Sequence, residues 1–536
     1  MHGRFNHFLR LANARIRHTE MNWQVDRMAK GVARQRGEVD QAPIVFFNAS
    51  TRLRGISLNA AFSLLSAWSL QMQGTPVVQF ACGRGMAHCV LGTNRHDIGQ
   101  APPCTECMHQ SRVLYKHMDV HWFAYHGDVD LKRTIEKLDL DALSKFTYQG
   151  VPLGELVLPS TRWILRRHNL NQDDAALEIT RDYILSAWSV KQAFEALVRE
   201  VKPQSVVVFN GMMYPEATVR WVANQHGIPS FSHEVGMAPF SGFFTAGEAT
   251  AYPVTIPDDF HLTDAQNEKL DAYLSNRFKG KFTMAGQQFW PEMSGLDDNF
   301  LRSADKFKQI IPVFTNVVFD TSQPHANVVF SDMFEWLDMV LEIAKNHMET
   351  LFIIRAHPDE ARPGKASEES VAGWAVRCKV AELPNVIFIR PDEFFSSYEM
   401  IQRAKFIMIY NSTIGLEAAI MGKPVLCAGK ARYTQLETVF FPNTLPAFRA
   451  QAETFLEADQ IEVPEAFREN ARRFLYFQLY RTSLPFGAYI EEDGVWNGYV
   501  RLKKFKPADL LPENSSTMQA VHNGLLHQGD FLLTEG

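Results

Sequence analysis

The sequence predicts an α/β protein of two Rossmann-like domains facing across a cleft, with an N-terminal arm and a C-terminal helical tail. Three observations carry that expectation. The chain has 536 residues, more than one hydrophobic core organises. Short apolar runs alternate with helical patterns over 44–231 and again over 310–427. Several of these runs lead directly into Asn, Ser or Thr, as at Asn48, Asn210, Ser232 and Thr315, residues of strand-end loops.

Residues 1–41 stand apart as a basic amphipathic arm, with eight Arg/Lys against four Asp/Glu and with Phe5, Leu9, Ile16, Trp23 and Val25 interspersed. Two readings stand for it: attachment to an anionic membrane surface, or packing on the protein body. The first domain spans 42–300. Ile44 to Phe47 reads as a strand ending at Asn48-Ala49-Ser50, Leu58 to Met72 as a helix, and Pro76 to Phe80 as a second strand. Ser205 to Phe209 is an apolar strand ending at Asn210-Gly211. Pro215 to His226 reads as a helix closed by Gly227. Ile228 to Phe231 reads as the next strand, leading into a loop, Ser232-His233-Glu234-Val235-Gly236.

Residues 250–305 are mixed, and the domain junction falls there. The second domain spans 301–455. Its expected strands are 310–314, 351–355, 386–389, 406–409 and 424–427, with helices at 334–346 and 414–421. The tail, 456–536, is rich in aromatics and is expected to pack helically across the domains.

In open parallel sheets ligands bind beyond the C-terminal strand ends, and three loops of the second domain lie there. Asn411-Ser412-Thr413-Ile414-Gly415-Leu416-Glu417 follows a strand and opens a helix, followed by Gly422-Lys423-Pro424-Val425. Backbone N–H groups and the Ser412 and Thr413 hydroxyls suit a phosphate. Gly415 allows close approach of a ligand, and Glu417 suits the two hydroxyls of a ribose. Arg355-Ala356-His357-Pro358 offers a guanidinium fork and an imidazole donor. Thr315-Asn316, with Asp320, forms a third wall.

The run from Pro312 to Leu426 resembles the C-terminal half of capsule polysaccharide biosynthesis proteins, a family that includes bacterial Kdo transferases. More distantly it resembles sialyl- and polysialyltransferases and CDP-glycerol glycerophosphotransferases. In those families a His-Pro pair contacts the nucleotide and a Ser/Thr pair its phosphate; His357-Pro358 and Ser412-Thr413 match those positions. The resemblance implies the GT-B fold and glycosyl transfer from a nucleotide-sugar donor, CMP-, UDP- or GDP-linked, to a glycan or lipid-linked acceptor in surface polysaccharide synthesis. Other readings of the same architecture are a glycerophosphotransferase, a nucleotide-sugar epimerase, or a non-catalytic polysaccharide-binding relative.

Glycosyl transfer to a hydroxyl with inversion needs a general base. Glu234, beyond a first-domain strand, is the leading candidate and His233 the second; Asp97 and Asp128 are more distant ones. His357 is placed to stabilise the leaving group. Cys82, Cys89, Cys104 and Cys107 fall in a C-x6-C-x14-C-x2-C pattern. Such thiolates build a tetrahedral structural zinc site or an iron–sulfur cluster, or they are four reduced structural cysteines. Asn94-Arg95-His96-Asp97 within this segment is a candidate acceptor contact.

A net charge of −6 gives no polycation character, so nucleic acid is not an expected partner. The most apolar stretch, Ala60 to Leu70, is broken by Ser63, Ser66 and Ser69 and is too short to span a membrane. A start without a secretory pattern and few cysteines predict a cytoplasmic protein, with the arm as its route to the inner membrane surface.

Overall fold

Ile44-Val45-Phe46-Phe47 is apolar at every position, and a strand of that kind needs cover on both faces. The computed structural model provides it. The structure describes residues 2–37, 39–49, 55–278, 294–362, 365–494 and 498–534, the side chains of 2–15 and Asn299 excepted. Ile44 and Phe46 enter one core layer with the helix Leu58–Met72, while Val45 and Phe47 enter another with the helix Asp174–Val201. Period-two alternation thus divides one run between two cores.

In chain order the first-half strands are β1 (Ile44–Phe47), β2 (Ile56–Ser57), β3 (Val77–Cys82), β4 (Asp119–Phe123), β5 (Ser205–Phe209), β6 (Ser230–Val235) and β7 (Ser241–Ala246). The second half supplies β8 (Gln309–Phe314), β9 (Thr350–Arg355), β10 (Val386–Ile389), β11 (Ile407–Ile409) and β12 (Val425–Cys427). The tail adds β13 (Leu484–Pro485), β14 (Ile490–Glu492) and β15 (Tyr499–Leu502).

The first sheet has the order β13-β7-β6-β5-β1-β3-β4, the second β10-β9-β8-β11-β12, and β14-β15-β2 form a small third sheet. All pairings of the second sheet are parallel. The first is parallel from β4 to β6, but β7 and β13 run antiparallel at its edge. Two α/β units of this kind make the two-domain GT-B arrangement.

The edge corrects one expectation. Ser232–Val235 is strand, not loop, because β6 continues past Phe231 to pair with β7, with Glu234 opposite Phe243. In the tail, the helix Glu465–Tyr480 packs on Ile414–Ile420. Leu484–Pro485 then joins the first sheet, and the helix Ser516–His527 lies in the core layer of Leu58–Met72.

The N-terminal helix, His2–Gln35, settles the two readings of the arm for the residues whose side chains are described. Met21, Val25, Met28, Ala29 and Val32 are all buried in the first-domain core, whereas Ile16 and Trp23 are exposed. The apolar face is therefore packed on the body. In the junction, Asp264–Phe278 and Asp298–Ala304 are helices, and 279–293 lies outside the described residues.

Candidate functional site

Four loops that follow β8, β9, β11 and β12 close on one cavity of about 850 Å³. It lies at the C-terminal ends of parallel strands, where neighbouring crossovers leave a crevice. Thr250, Ala251 and Pro253 contribute a wall from the far side of the junction.

Asn316, Arg355, His357, Pro358, Ser412, Thr413 and Glu417, named from strand-end positions, all line this cavity, and Asp320 lies on its wall. Gly415 does not line it. A Cβ there would meet Ile409 Cδ1 at 2.3 Å and the Tyr433 hydroxyl at 2.4 Å, so glycine is required for helix-to-strand packing rather than for a ligand.

The loops are tied to each other. Asn316 Nδ2 donates to Asn411 Oδ1 at 2.7 Å, and Thr315 Oγ1 donates to the Arg355 carbonyl at 2.9 Å. Arg355 is buried. Its Nη1 donates to the Phe395 carbonyl at 2.7 Å and to the Ser397 hydroxyl, so the guanidinium positions the loop after β10. Burial pulls its pKa down to about 10, which leaves the charge in place at neutral pH.

His357 Nδ1 accepts from the Asp359 amide at 3.1 Å, which puts the ring proton of the neutral form on Nε2. Burial, then the nearby Arg355 charge, lower its pKa against the opposing pull of Asp359. The imidazole is thus neutral at pH 7 and a hydrogen-bond donor through Nε2.

Glu417 is 4% exposed, and both carboxylate oxygens are engaged. Arg277 Nε donates to Oε1 at 2.6 Å with Nη2 beside it, and the Tyr398 hydroxyl donates to Oε2. Arg277 Nη1 also donates to the Tyr273 hydroxyl at 3.1 Å. The carboxylate expected to meet a ribose is thus the centre of a buried ion-pair network that joins the helix Asp264–Phe278 to the second domain.

Cations that the sequence reading did not single out complete the site. Lys365, Lys430 and Arg432 line the cavity. Lys430 is exposed at the rim and has no ion-pair partner among the described residues. Arg432 stacks on the Tyr252 ring, 3.8 Å from its centroid. The signal was available: Gly429-Lys430-Ala431-Arg432 follows β12 as the other loops follow their strands.

The expected bases sit elsewhere. Glu234 does not line the cavity. It accepts from Asn59 Nδ2 at 3.0 Å, Asn210 Nδ2 at 2.9 Å and the Val235 amide at 2.9 Å. Burial nevertheless raises its pKa, and Asp320 of the cavity wall adds to the rise. His233 is fully buried, with Nδ1 3.3 Å from Asn59 Oδ1 and the ring near Phe209 and Phe244. Burial pushes its pKa to about 3. Asp128 caps the helix Val129–Ile135 and accepts from Trp188 Nε1 at 3.0 Å. Asp97 and His96 are exposed and Arg95 half-buried in a loop that does not line the cavity. Of the three residues expected to carry chemistry, only His357 reaches the cavity.

Cys82, Cys89, Cys104 and Cys107 line a second cavity, of about 160 Å³, at the end of β3. Burial raises the Cys82 thiol to about 11 and the Cys89 thiol to about 12, and the other thiols of the group add to both. Among the described residues no group of three or more His, Cys, Asp or Glu is disposed to hold a metal ion, so the tetrahedral zinc reading is not supported. A site of that kind needs its sulfurs about 2.3 Å from one ion.

Residues 274–455 match the family model described as capsule polysaccharide biosynthesis protein, about a third of the chain. The resemblance drawn from His357-Pro358 and Ser412-Thr413 falls inside that segment. Protein FixF of Sinorhizobium fredii is 29% identical over 119 residues, which span 22% of this chain and 26% of FixF. Among solved structures, the beta Kdo 2,4 transferase of KpsC from Thermosulfurimonas dismutans aligns at 12% identity and a TM-score of 0.34, over 52% of this chain and 80% of that one. A UDP-GlcNAc 2-epimerase from Neisseria meningitidis aligns at 13% and a TM-score of 0.27, over 81% and 98%. Superpositions this loose carry no argument about activity. No helix among the described residues is long and apolar enough to cross a membrane.

Proposed function

We propose that the chain is a glycosyltransferase that holds a nucleotide-activated sugar in the second-domain cavity and passes the sugar to a glycan acceptor. One observation supports this most: the four strand-end loops, including His357-Pro358 and Ser412-Thr413, converge on a single cavity rimmed by Lys365, Lys430 and Arg432. A nucleoside diphosphate or monophosphate leaving group gathers negative charge as the glycosidic bond breaks, and fixed donors and cations at that point stabilise it. His357 Nε2–H, the Ser412 and Thr413 hydroxyls and Lys430 supply those donors. Arg355 and the Glu417–Arg277 pair hold the loops in place.

On the acceptor side, Glu234 is the candidate base. Its raised pKa brings a carboxylate closer to the range in which proton abstraction is efficient at neutral pH. Asp320, which lines the cavity, adds to that rise. The acceptor is a surface glycan, free or lipid-linked, and the lipid-linked form would be met at the inner membrane surface.

The reading is tested by separating binding from turnover. In calorimetric titrations with CMP, UDP and GDP, one nucleotide binds the wild type. His357→Ala weakens that affinity by about tenfold to a hundredfold, the loss of one hydrogen bond to a charged partner. Glu234→Gln keeps the affinity and loses about 10²–10⁴-fold in transfer to the acceptor. Unchanged affinity in His357→Ala would remove the nucleotide assignment. Near-normal turnover in Glu234→Gln would move the base function to Asp320, tested by Asp320→Asn.

A further inference from the structure

The loop from Gly83 to Pro103 is a long irregular insertion between β3 and the helix Cys104–Leu114, and the second cavity lies beneath it. Cys82 closes β3, Cys89 sits in the loop, and Cys104 and Cys107 share one face of the helix's first turn at i, i+3. The strand end, the loop and the helix thus bring four thiols to one set of walls. Two features distinguish this group from four cysteines that fill a core. First, the space among them is about 160 Å³, several times the roughly 30 Å³ share of a water, and much of the remaining lining is apolar, including Met86, Leu91, Pro102 and Met108. Water has few partners there. Second, the backbone keeps close to the sulfurs. Gly85 N–H donates to Cys82 Sγ at 3.2 Å, and Gly92 N–H turns back to the Cys89 carbonyl at 3.1 Å. A Cβ at Gly92 would stand 2.7 Å from Cys89 Sγ, so glycine is what leaves room beside that sulfur.

The thiols are not gathered around a point, as one tetrahedral ion requires, yet they ring one cavity. We propose that Cys82, Cys89, Cys104 and Cys107 hold a 4Fe–4S cluster, which occupies this cavity and pins the inserted loop to the end of β3. A cubane cluster takes four thiolates at its corners and accepts N–H bonds at its sulfurs. Binding of a preformed core in the 2+ state forms four Fe–S(Cys) bonds. Each thiol gives up its proton to solvent or to the displaced ligand, and no oxidation state changes. The resulting 2− charge faces Arg84, which lines the same cavity. The inference stands apart from the donor site and holds whichever sugar or nucleotide that site takes.

The test is elemental and spectroscopic, on the full chain purified without oxygen and incubated with iron, sulfide and a thiol, then desalted. The expected result is about four irons and four acid-labile sulfides per chain, with broad visible absorption that dithionite bleaches. Cys104→Ser and Cys107→Ser each lower the iron at least several-fold, while Cys378→Ser, a half-buried cysteine of the second domain, retains it. The wild-type counts decide the matter if a ligand variant does not fold. One zinc without labile sulfide overturns the proposal. So do two irons with two sulfides, less than one iron after incubation, or equal loss in Cys378→Ser.

Discussion

Glu417 and Arg277 show how a residue placed by sequence changes meaning once its partner is known. With side chains 5% and 7% exposed, the pair has traded its hydration for one another and for Tyr398 and Tyr273. Removing one charge strands the other, at a cost of about 3–5 kcal/mol. Glu417→Ala is therefore expected to lower unfolding stability by about that amount in denaturant titrations, beyond any effect on ligand. The double variant Glu417→Gln with Arg277→Met is expected to recover most of the loss, because both charges go together. A Glu417→Ala protein as stable as wild type would return the carboxylate to a purely ligand-facing role. Sequence reading put Glu417 on the cavity wall because a strand-end loop and a helical turn place it there. It did not supply Arg277, since a partner 140 positions upstream is chosen by tertiary packing. Gly415 is the parallel case: its need for glycine was legible, but the atoms that impose it belong to Ile409 and Tyr433.

At the scale of elements, the strands buried on both faces were the legible ones. β1, β5, β8, β9 and β11 are uninterrupted apolar runs, and periodicity fixes them within a residue or two. The apolar run ends at Phe231 because Ser232, His233 and Glu234 are polar, yet pairing with β7 keeps them extended. Propensity yields to that tertiary contact. The N-terminal helix was ambiguous for a similar reason, as an apolar stripe serves a membrane or a core equally well. Its described part serves a core, which makes a direct prediction. Met28→Ala, at a site 4% exposed, is expected to cost about 2–5 kcal/mol in chemical denaturation. Trp23→Ala, at a site 62% exposed, should stay within about 0.5 kcal/mol. The reverse order would mean that the helix does not pack as described.

The whole molecule joins two α/β units through a tail that packs on the second and then adds a strand to the first. Cation stacking of Arg432 on Tyr252, and the contacts of His325 Nε2 with Glu248 at 3.2 Å and with the Thr250 hydroxyl at 3.3 Å, tie the cavity loops to the first half. A ligand at the strand ends of the second sheet therefore sits where these ties meet. The central claim is that this cavity, and not another part of the chain, receives the nucleotide. Hydrogen exchange with and without saturating nucleotide tests it most directly, since bound ligand suppresses local opening. The account predicts added protection at 315–317, 355–358, 411–414 and 430–432, with little change at the ends of β1 and β3. Protection confined to the first sheet, or none at a nucleotide concentration that saturates binding, would contradict it.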